Sequence, residues 1–203
     1  VPGIDLAGVV VSSTDSRFKE GDEVIATSYG IGVSHYGGYS QYARIPANWI
    51  VPLPAGLTLK EAMIIGTAGF TAALSVQRLE ENGLTPNQGN VLVTGATGGV
   101  GSFAVAILAK LGYTVEASTG KESEHEYIKK IGATSILSRE DVFSGKIPAL
   151  GKQRWIAAID PVGGEPLAAI LSQIQYGGSV AVSGLTAGTK VPTNVFPFIL
   201  RAV

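Results

Sequence analysis

The 203-residue chain balances 15 Lys and Arg against 16 Asp and Glu, for a formal net charge of −1, and 45% of it is hydrophobic. Such a chain builds one large or two modest domains with real cores, and it offers no basic stripe to a nucleic acid. With no cysteine and only two histidines, His35 and His125, it lacks disulfides, thiolate nucleophiles and Cys-containing zinc sites, and a His-rich metal site is not expected either; we expect no metal.

No apolar run approaches bilayer length, since the best candidate, "FAVAILA", stops at Lys110. The N-terminus lacks a signal-like pattern. A cytoplasmic location without membrane partners is the expectation. The chain opens in a strand-like run, "VPGIDLAGVVV", and stops after "FPFILRAV", so it reads as a piece of something longer.

Residues 4–51 read as short strands joined by turns. "IDLAGVVV" is β-rich, Gly21 and Asp22 mark a turn before "EVIA", and "GGYSQYARI" alternates with period two. The Pro- and Gly-bearing "NWIVPLPAGLT" marks a boundary. It separates a partial β-rich unit, residues 1–57, from residues 58–203. Thr58 and Glu61 then form a capping-box pattern, in which hydroxyl and carboxylate each take an orphan amide. The helix that follows is expected to be interrupted near Gly66 and Gly69 and to end at "ENG".

From Val91 the pattern becomes strand, helix, strand, helix. "VLVT" is a short apolar strand; Val100, Phe103, Ala104, Ile107, Leu108 and Leu111 keep helical spacing, and Gly112 is a natural stop. "TVEAS" follows as a strand. A second helix is expected from Ser123, capped by Ser123 with Glu126, to Gly132, with Lys129 and Lys130 at its end. His125 falls in its first turn and is expected at the surface. "TSIL", "WIAAID" and "GSVAVSG" are further strands, with "PLAAILSQI" a helix between the last two. This alternation implies an α/β, doubly wound parallel sheet of the Rossmann kind.

Gly95, Gly98 and Gly101, with Gly99 beside them, lie between the first of these strands and its helix. Glycine permits positive φ in the turn, close approach of amides to phosphate, and tight packing of helix on strand. The helix N-terminus then presents unpaired amides to an anion. The spacing is G-x-x-G-x-x-G, which alone also suits a ligand-free turn of small residues. The strand before and the amphipathic helix after favour a dinucleotide.

The end of the second strand separates the nicotinamide cofactors. An acid there holds the ribose of NAD, whereas NADP needs room and positive charge for its 2′-phosphate. Here the residues are Ser118, Thr119, Gly120 and Lys121, so NADPH is expected. Glu116 lies too early on the strand to reach the ribose. Lys121 considered alone reads equally well as a solvated lysine.

With these residues in place, the sequence resembles the zinc-free medium-chain dehydrogenase/reductase superfamily, in particular its quinone oxidoreductase and acrylyl-CoA reductase branch (YhdH/YhfP type). The resemblance runs through "PGIDLAGVV", "GDEV", "HYGGYSQYARIP", "MIIGTAGFTA", "VLVTGATGGVG", "STGKESEHEYIKKIGA", "IDPVGG", "YGGSVAVSGL" and "PFILR". It implies a GroES-like catalytic domain, only part of it in this chain, joined to a Rossmann domain incomplete at its C-terminal end, with NADPH between the two. It further implies that Thr97, Gly98, Gly99, Val100 and Gly101 form the pyrophosphate turn, and that Thr119, Gly120 and Lys121 form the 2′-phosphate site. Relatives often carry Arg where Lys121 stands, and Lys loses the bidentate geometry, so selectivity for NADP is expected to be weaker. Thr67 and Thr71 match the segment near the nicotinamide, and Gly184 and Leu185 match the loop after the fifth strand. Relatives are commonly dimers, so a homodimer is expected of the whole protein.

Without a metal to polarise a carbonyl, the fitting chemistry is hydride delivery from NADPH to an activated acceptor. An acrylyl-CoA-like enoyl thioester is the first choice and a quinone the second, because conjugation passes the charge to an oxygen that donors can stabilise. Tyr29, His35, Tyr36 and Arg201 are candidate donors or substrate contacts, each with a blander reading: packing for Tyr36, a backbone-held loop histidine for His35, a helix cap for Arg201. Asp160 reads as a turn residue, and Trp49 and Trp155 as core or interface residues. Two rivals share the glycine turn. A non-catalytic NADPH-binding protein would not oxidise its cofactor, and a methyltransferase would usually want an acid where Thr119 and Lys121 stand.

Overall fold

In the computed structural model, which describes residues 1–203, strand β1 (Asp5–Val9) pairs antiparallel with β2 (Glu23–Thr27), and β2 with β3 (Val51–Pro52). The turn before β2 forms where Gly21 and Asp22 predict it: Gly21 has φ 90, and backbone bonds Gly21 N to Val10 O and Val10 N to Asp22 O close it. This sheet belongs to the first of two compact units, Val1–Phe70 and Thr71–Val203. Its buried side chains are few: Phe18, Val24, Ala26, Ile31 and Ala62.

The alternating "GGYSQYARI" does not form a strand. Its backbone bonds go to an irregular segment instead, with Gly38 N donating to Gly3 O and Tyr39 N to Pro2 O. The Ser40 hydroxyl donates to Tyr42 O at 2.9 Å. A side chain that bonds its own backbone competes with a ladder. Tyr39 and Tyr42 are accordingly exposed rather than half-buried.

Helix α1 (Leu59–Glu81) starts as the capping box predicts. Thr58 N donates to Glu61 Oε2 at 2.8 Å and Glu61 N to Thr58 Oγ1 at 3.2 Å. It breaks once, at Gly66 (φ 50, ψ −160), and not at Gly69. By length and composition α1 is apolar enough to cross a membrane, which the sequence-based expectation of no such segment overlooked. Its residues Ala72, Val76 and Leu79 are buried in the core of the second unit.

The second unit is built on strands β4 (Asn90–Val93), β5 (Thr114–Ser118), β6 (Ser135–Leu137), β7 (Trp155–Asp160) and β8 (Ile174–Val182). All neighbours run parallel in the order β6-β5-β4-β7-β8. That is the dinucleotide-binding order, with its crevice where the winding reverses, between β4 and β7. Strands covered on both faces read as continuous apolar runs, and alternate residues here enter two cores. Val91, Val93, Ala157 and Ile159 pack with α1 and with α2 (Gly99–Lys110) on one face. Leu92, Trp155 and Ala158 pack on the other with Val142 of α4 (Arg139–Val142) and Ile170 of α5 (Gly164–Leu171). Each aliphatic side chain buried this way contributes roughly 1.5–3 kcal/mol.

Two boundaries differ from expectation. Helix α3 (His125–Lys130) has no side-chain cap, because Glu122–Glu124 form a 3-10 turn before it and the Ser123 hydroxyl turns to Glu124. His125 is half-buried rather than at the surface. The four-residue α4 was not anticipated, although Ser138 and Asp141 make a complete capping box there. The final helix, α6 (Phe196–Arg201), ends in a left-handed Ala202.

Candidate functional site

At the end of β4 the chain turns through Gly95 (φ 54), and Ala96 N donates to Ser118 O, which ties the turn to β5. A side chain on Gly101 would run into the Gly95 carbonyl, so the first turn of α2 rests directly on the loop. Gly98 is the N-cap, and no side chain caps the helix. The opening amides of a helix have no intrahelical acceptor. At the exposed crest a Cβ on Gly98 would meet only the Gly95 carbonyl, at 3.3 Å. The space above those amides is open, and backbone donors, helix dipole and missing side chains together suit a pyrophosphate. Thr97, Gly98, Gly99, Val100 and Gly101 all lie on this turn.

The end of β5 supplies the second contact region. Ser118 and Thr119 are buried, Gly120 and Lys121 exposed. The Thr119 hydroxyl lies 3.4 Å from that of Thr97 and accepts from Lys121 N at 3.1 Å, so one threonine links both turns. Arg139 lies over Gly120: a Cβ there would come within 2.6 Å of Arg139 Nε. Neither Lys121 nor Arg139 takes part in any of the three ion pairs of the structure. Lys121, whose backbone amide bonds the buried Thr119 hydroxyl, and Arg139, which lies over Gly120, thus have no carboxylate partner. Arg139 escaped the sequence reading, and its signal was the Ser138–Asp141 capping box just after β6, which starts a helix beside the end of β5.

Glu116 is spent elsewhere. Its carboxylate accepts from Asn90 Nδ2 at 2.8 Å and Trp155 Nε1 at 2.7 Å, bridging β5 to β4 and β7.

The opposite wall of the crevice centres on Asp160, which is fully buried. It accepts from the Thr94 hydroxyl and from the amides of Gly163, at 2.8 Å, and Val162, at 3.4 Å. Burial pushes its pKa up, and these hydrogen bonds oppose the shift. Asp160 is therefore the tie between the end of β4 and the loop after β7, a larger role than that of a turn residue. Ser183 N donates to Asp160 O, and Gly184 packs so closely on Pro161 that a side chain would strike its carbonyl. Leu185 is 63% exposed on the same loop. Thr71 accepts from the Ser75 hydroxyl on its carbonyl, 2.8 Å away within α1.

In the first unit, Thr67 follows the Gly66 kink and donates to Asp5 through its amide and, at 2.6 Å, its hydroxyl. Ser28 Oγ lies 3.3 Å from Thr67 Oγ1. Ser28 and Tyr29 have φ 66 and 49, consecutive non-glycine residues in the left-handed region. Such a residue costs about 1–3 kcal/mol. His35 Nδ1 lies 2.9 Å from Tyr36 O, as a backbone-held loop histidine would, and Tyr36 is exposed. Trp49 is half-buried and stacks on Tyr29, whereas Trp155 is fully buried. Arg201 donates to the carbonyls of Ser172, Ile174 and Gly151. Its guanidinium thus fastens the end of α5, which is a structural task.

The family model for zinc-binding dehydrogenases matches residues 99–203, and that for the alcohol dehydrogenase GroES-like domain matches residues 1–55. The chain belongs to the zinc-binding dehydrogenase family. Within this family it is of the YhdH/YhfP type. It is 51% identical over 203 residues to the acrylyl-CoA reductase AcuI of Ruegeria pomeroyi, covering 100% of this chain and 62% of that one. The Bacillus subtilis protein YhfP, solved with NAD bound, superposes with a TM-score of 0.96 at 64% identity, over 100% of this chain and 62% of that one. YhdH of Escherichia coli K-12, solved with NADPH bound, superposes with a TM-score of 0.97 at 52% identity and the same coverage. The chain thus spans about three fifths of the length of these relatives.

The zinc of the family name does not fit these residues. The sequence has no cysteine, and no three His, Asp or Glu side chains are grouped to hold a metal ion.

Proposed function

We propose that this chain is the main cofactor-binding part, with some of the catalytic part, of an NADPH-dependent oxidoreductase. It would deliver hydride to an activated double bond, first of all that of an acrylyl-CoA-like enoyl thioester. The observation that carries this reading is the open glycine turn joined through Thr119 to the backbone of the unpaired Lys121, with the unpaired Arg139 over the adjoining Gly120. The two cations and the hydroxyls of Thr97 and Thr119 suit a 2′-phosphate, and the amides from Gly98 to Gly101 suit the pyrophosphate. Asp160, by holding Thr94 and Gly163, keeps both walls of the crevice in register.

When bound, the reduced nicotinamide supplies the hydride. The site residues bind and orient it, and the acceptor's own conjugation carries the arriving charge to an oxygen. Quinone reduction is the second reading, favoured by the 31% identity over 187 residues to the human quinone oxidoreductase. The resemblance to the family also supports a cytoplasmic homodimer, which light scattering on the whole protein would test.

The test follows nicotinamide absorbance in the whole protein with acrylyl-CoA and then with a quinone. Oxidation of NADPH by the thioester alone is the expected result, and oxidation by the quinone alone selects the second reading. Tight NADPH binding without turnover of either would leave a binding protein. Lys121→Ala and Arg139→Ala should each weaken NADPH about tenfold, the scale of one lost hydrogen bond to a charged group, and leave NADH unchanged. Equal loss of both cofactors would remove these residues from the 2′-phosphate site.

A further inference from the structure

Cofactor binding leaves one arrangement in the first unit without a task. The ring of Tyr29 lies parallel to that of Trp49, with centroids 5.1 Å apart and planes 4° from parallel. His35 meets the same indole edge-on at 5.4 Å and 71°. Yet Tyr29 is 64% exposed. The indole backs one face of the phenol ring and leaves the other open.

This ring is held in place at a conformational cost. Ser28 and Tyr29 are two of only three non-glycine residues with positive φ, the third being Ala202 at the end of α6. Three contacts enforce the turn: Ser28 N to Ile4 O at 3.1 Å, Ile31 N to Ser28 O at 3.1 Å, and Ser28 Oγ with Thr67 Oγ1 at 3.3 Å. Thr67 is itself anchored by Asp5. Strain that the surroundings over-determine clusters at ligand sites. A scattered exposed tyrosine needs no explanation, but a strained one with an indole behind it does.

His35 also lines an open concavity with Val1, Pro2, Gly32, Val33, Ser34 and Tyr36, of which Tyr29 and Trp49 are not part. Because a carbonyl only accepts, His35 Nδ1 donates to Tyr36 O, and in the neutral ring Nε2 is left as an acceptor.

We propose that Tyr29, backed by Trp49, is the stacking face for a planar conjugated group of the acceptor, either a quinone ring or the adenine of a CoA thioester. Both present a π face to an aromatic ring, and stacking of this kind tolerates different rings. The inference rests on the reading of the protein as a reductase of conjugated acceptors.

The experiment compares the native whole protein with Tyr29→Asn, since asparagine tolerates positive φ and removes only the ring. Three acceptors are used: a quinone, an enoyl-CoA, and the same enoyl group on pantetheine, which lacks the adenine. If the quinone ring is the occupant, its KM rises about tenfold and neither thioester responds; if adenine is, only the CoA thioester responds. Tyr29→Phe should behave as native, and NADPH affinity should not move. Unchanged KM values for all three acceptors would overturn the proposal.

A second readout is independent of turnover. Trp155 is fully buried, so a ring stacked on Tyr29 should quench the Trp49 share of the fluorescence. Failure of the reductase reading would appear as quenching without NADPH oxidation. Absence of quenching by both the quinone and CoA in the native protein would overturn the stacking face, whether or not any variant folds.

Discussion

The second unit covers both faces of its parallel sheet and buries two apolar clusters. The first relies on a three-stranded sheet, glycine backbones packed against carbonyls, and one carboxylate at a helix kink. A unit of the former kind loses stability when a core volume is emptied; one of the latter kind loses it when a polar tie is cut. The aromatic side chains follow the contrast only in part, since Phe18 is buried in the first unit and Tyr176 is exposed in the second. Trp155 is fully buried with its indole N–H bonded, whereas Tyr29, Tyr36, Tyr39 and Tyr42 are all exposed.

The largest expected effect tests the core. Trp155→Ala empties the centre of one cluster and strips Glu116 of a donor, and should cost about 4 kcal/mol in urea unfolding. Next comes the polar tie, where Asp5→Ala removes the carboxylate that the Thr67 amide and hydroxyl both bond and should cost about 2 kcal/mol in the same measurement. A cost for Asp5→Ala as large as that for Trp155→Ala would erase the contrast. Thr58→Ala should cost about 1 kcal/mol by removing the cap of α1. Ser138→Ala should cost less, because α4 has only four residues to lose.

The smallest effect lies in the pH dependence, where two acids act in opposite directions. Burial raises the pKa of Asp160 above its ordinary value, so the folded state holds the proton more tightly. Its contribution is therefore most favourable at acid pH, and it declines as pH rises from the unfolded value through the raised one. Bonds to Arg17 lower Asp15 to about 2 from the ordinary 3.8, so its contribution is present above 3.8 and is lost as pH falls towards 2. Asp160→Asn should flatten the decline on the rising side and leave the acid limb in place. An unchanged slope on both sides would mean that the burial of Asp160 is not felt.

Much of the second unit was legible because its signals are local. A glycine turn after an apolar strand and helical spacing from Val100 to Leu111 both need only neighbours in sequence. Where a tertiary partner decides, the sequence was misleading. The alternating "GGYSQYARI" has the period of a strand, but its amides bond the irregular Pro2–Gly3 segment. Ser123 has the chemistry of a cap, but a 3-10 turn moves the helix start past it. In the site, Lys121 was visible from its place after a strand. Arg139 was not, because its approach to Gly120 depends on β6 lying beside β5. Asp160 reads as a turn residue until Thr94, distant in sequence, is seen to bond it.

Glu116 and Thr119 lie on the same stretch of chain and do unrelated work. The acid is committed to Asn90 and Trp155 in the middle of β5, while the hydroxyl sits just past its end, among exposed cations. Structural negative charge and the hydroxyl of the proposed cofactor site are thus kept on separate residues. On the proposed reading of Lys121 and Arg139 as the holders of a 2′-phosphate, coenzyme preference can be rewritten at these two exposed positions, by selection or by design, with Glu116 and its partners in the sheet left undisturbed.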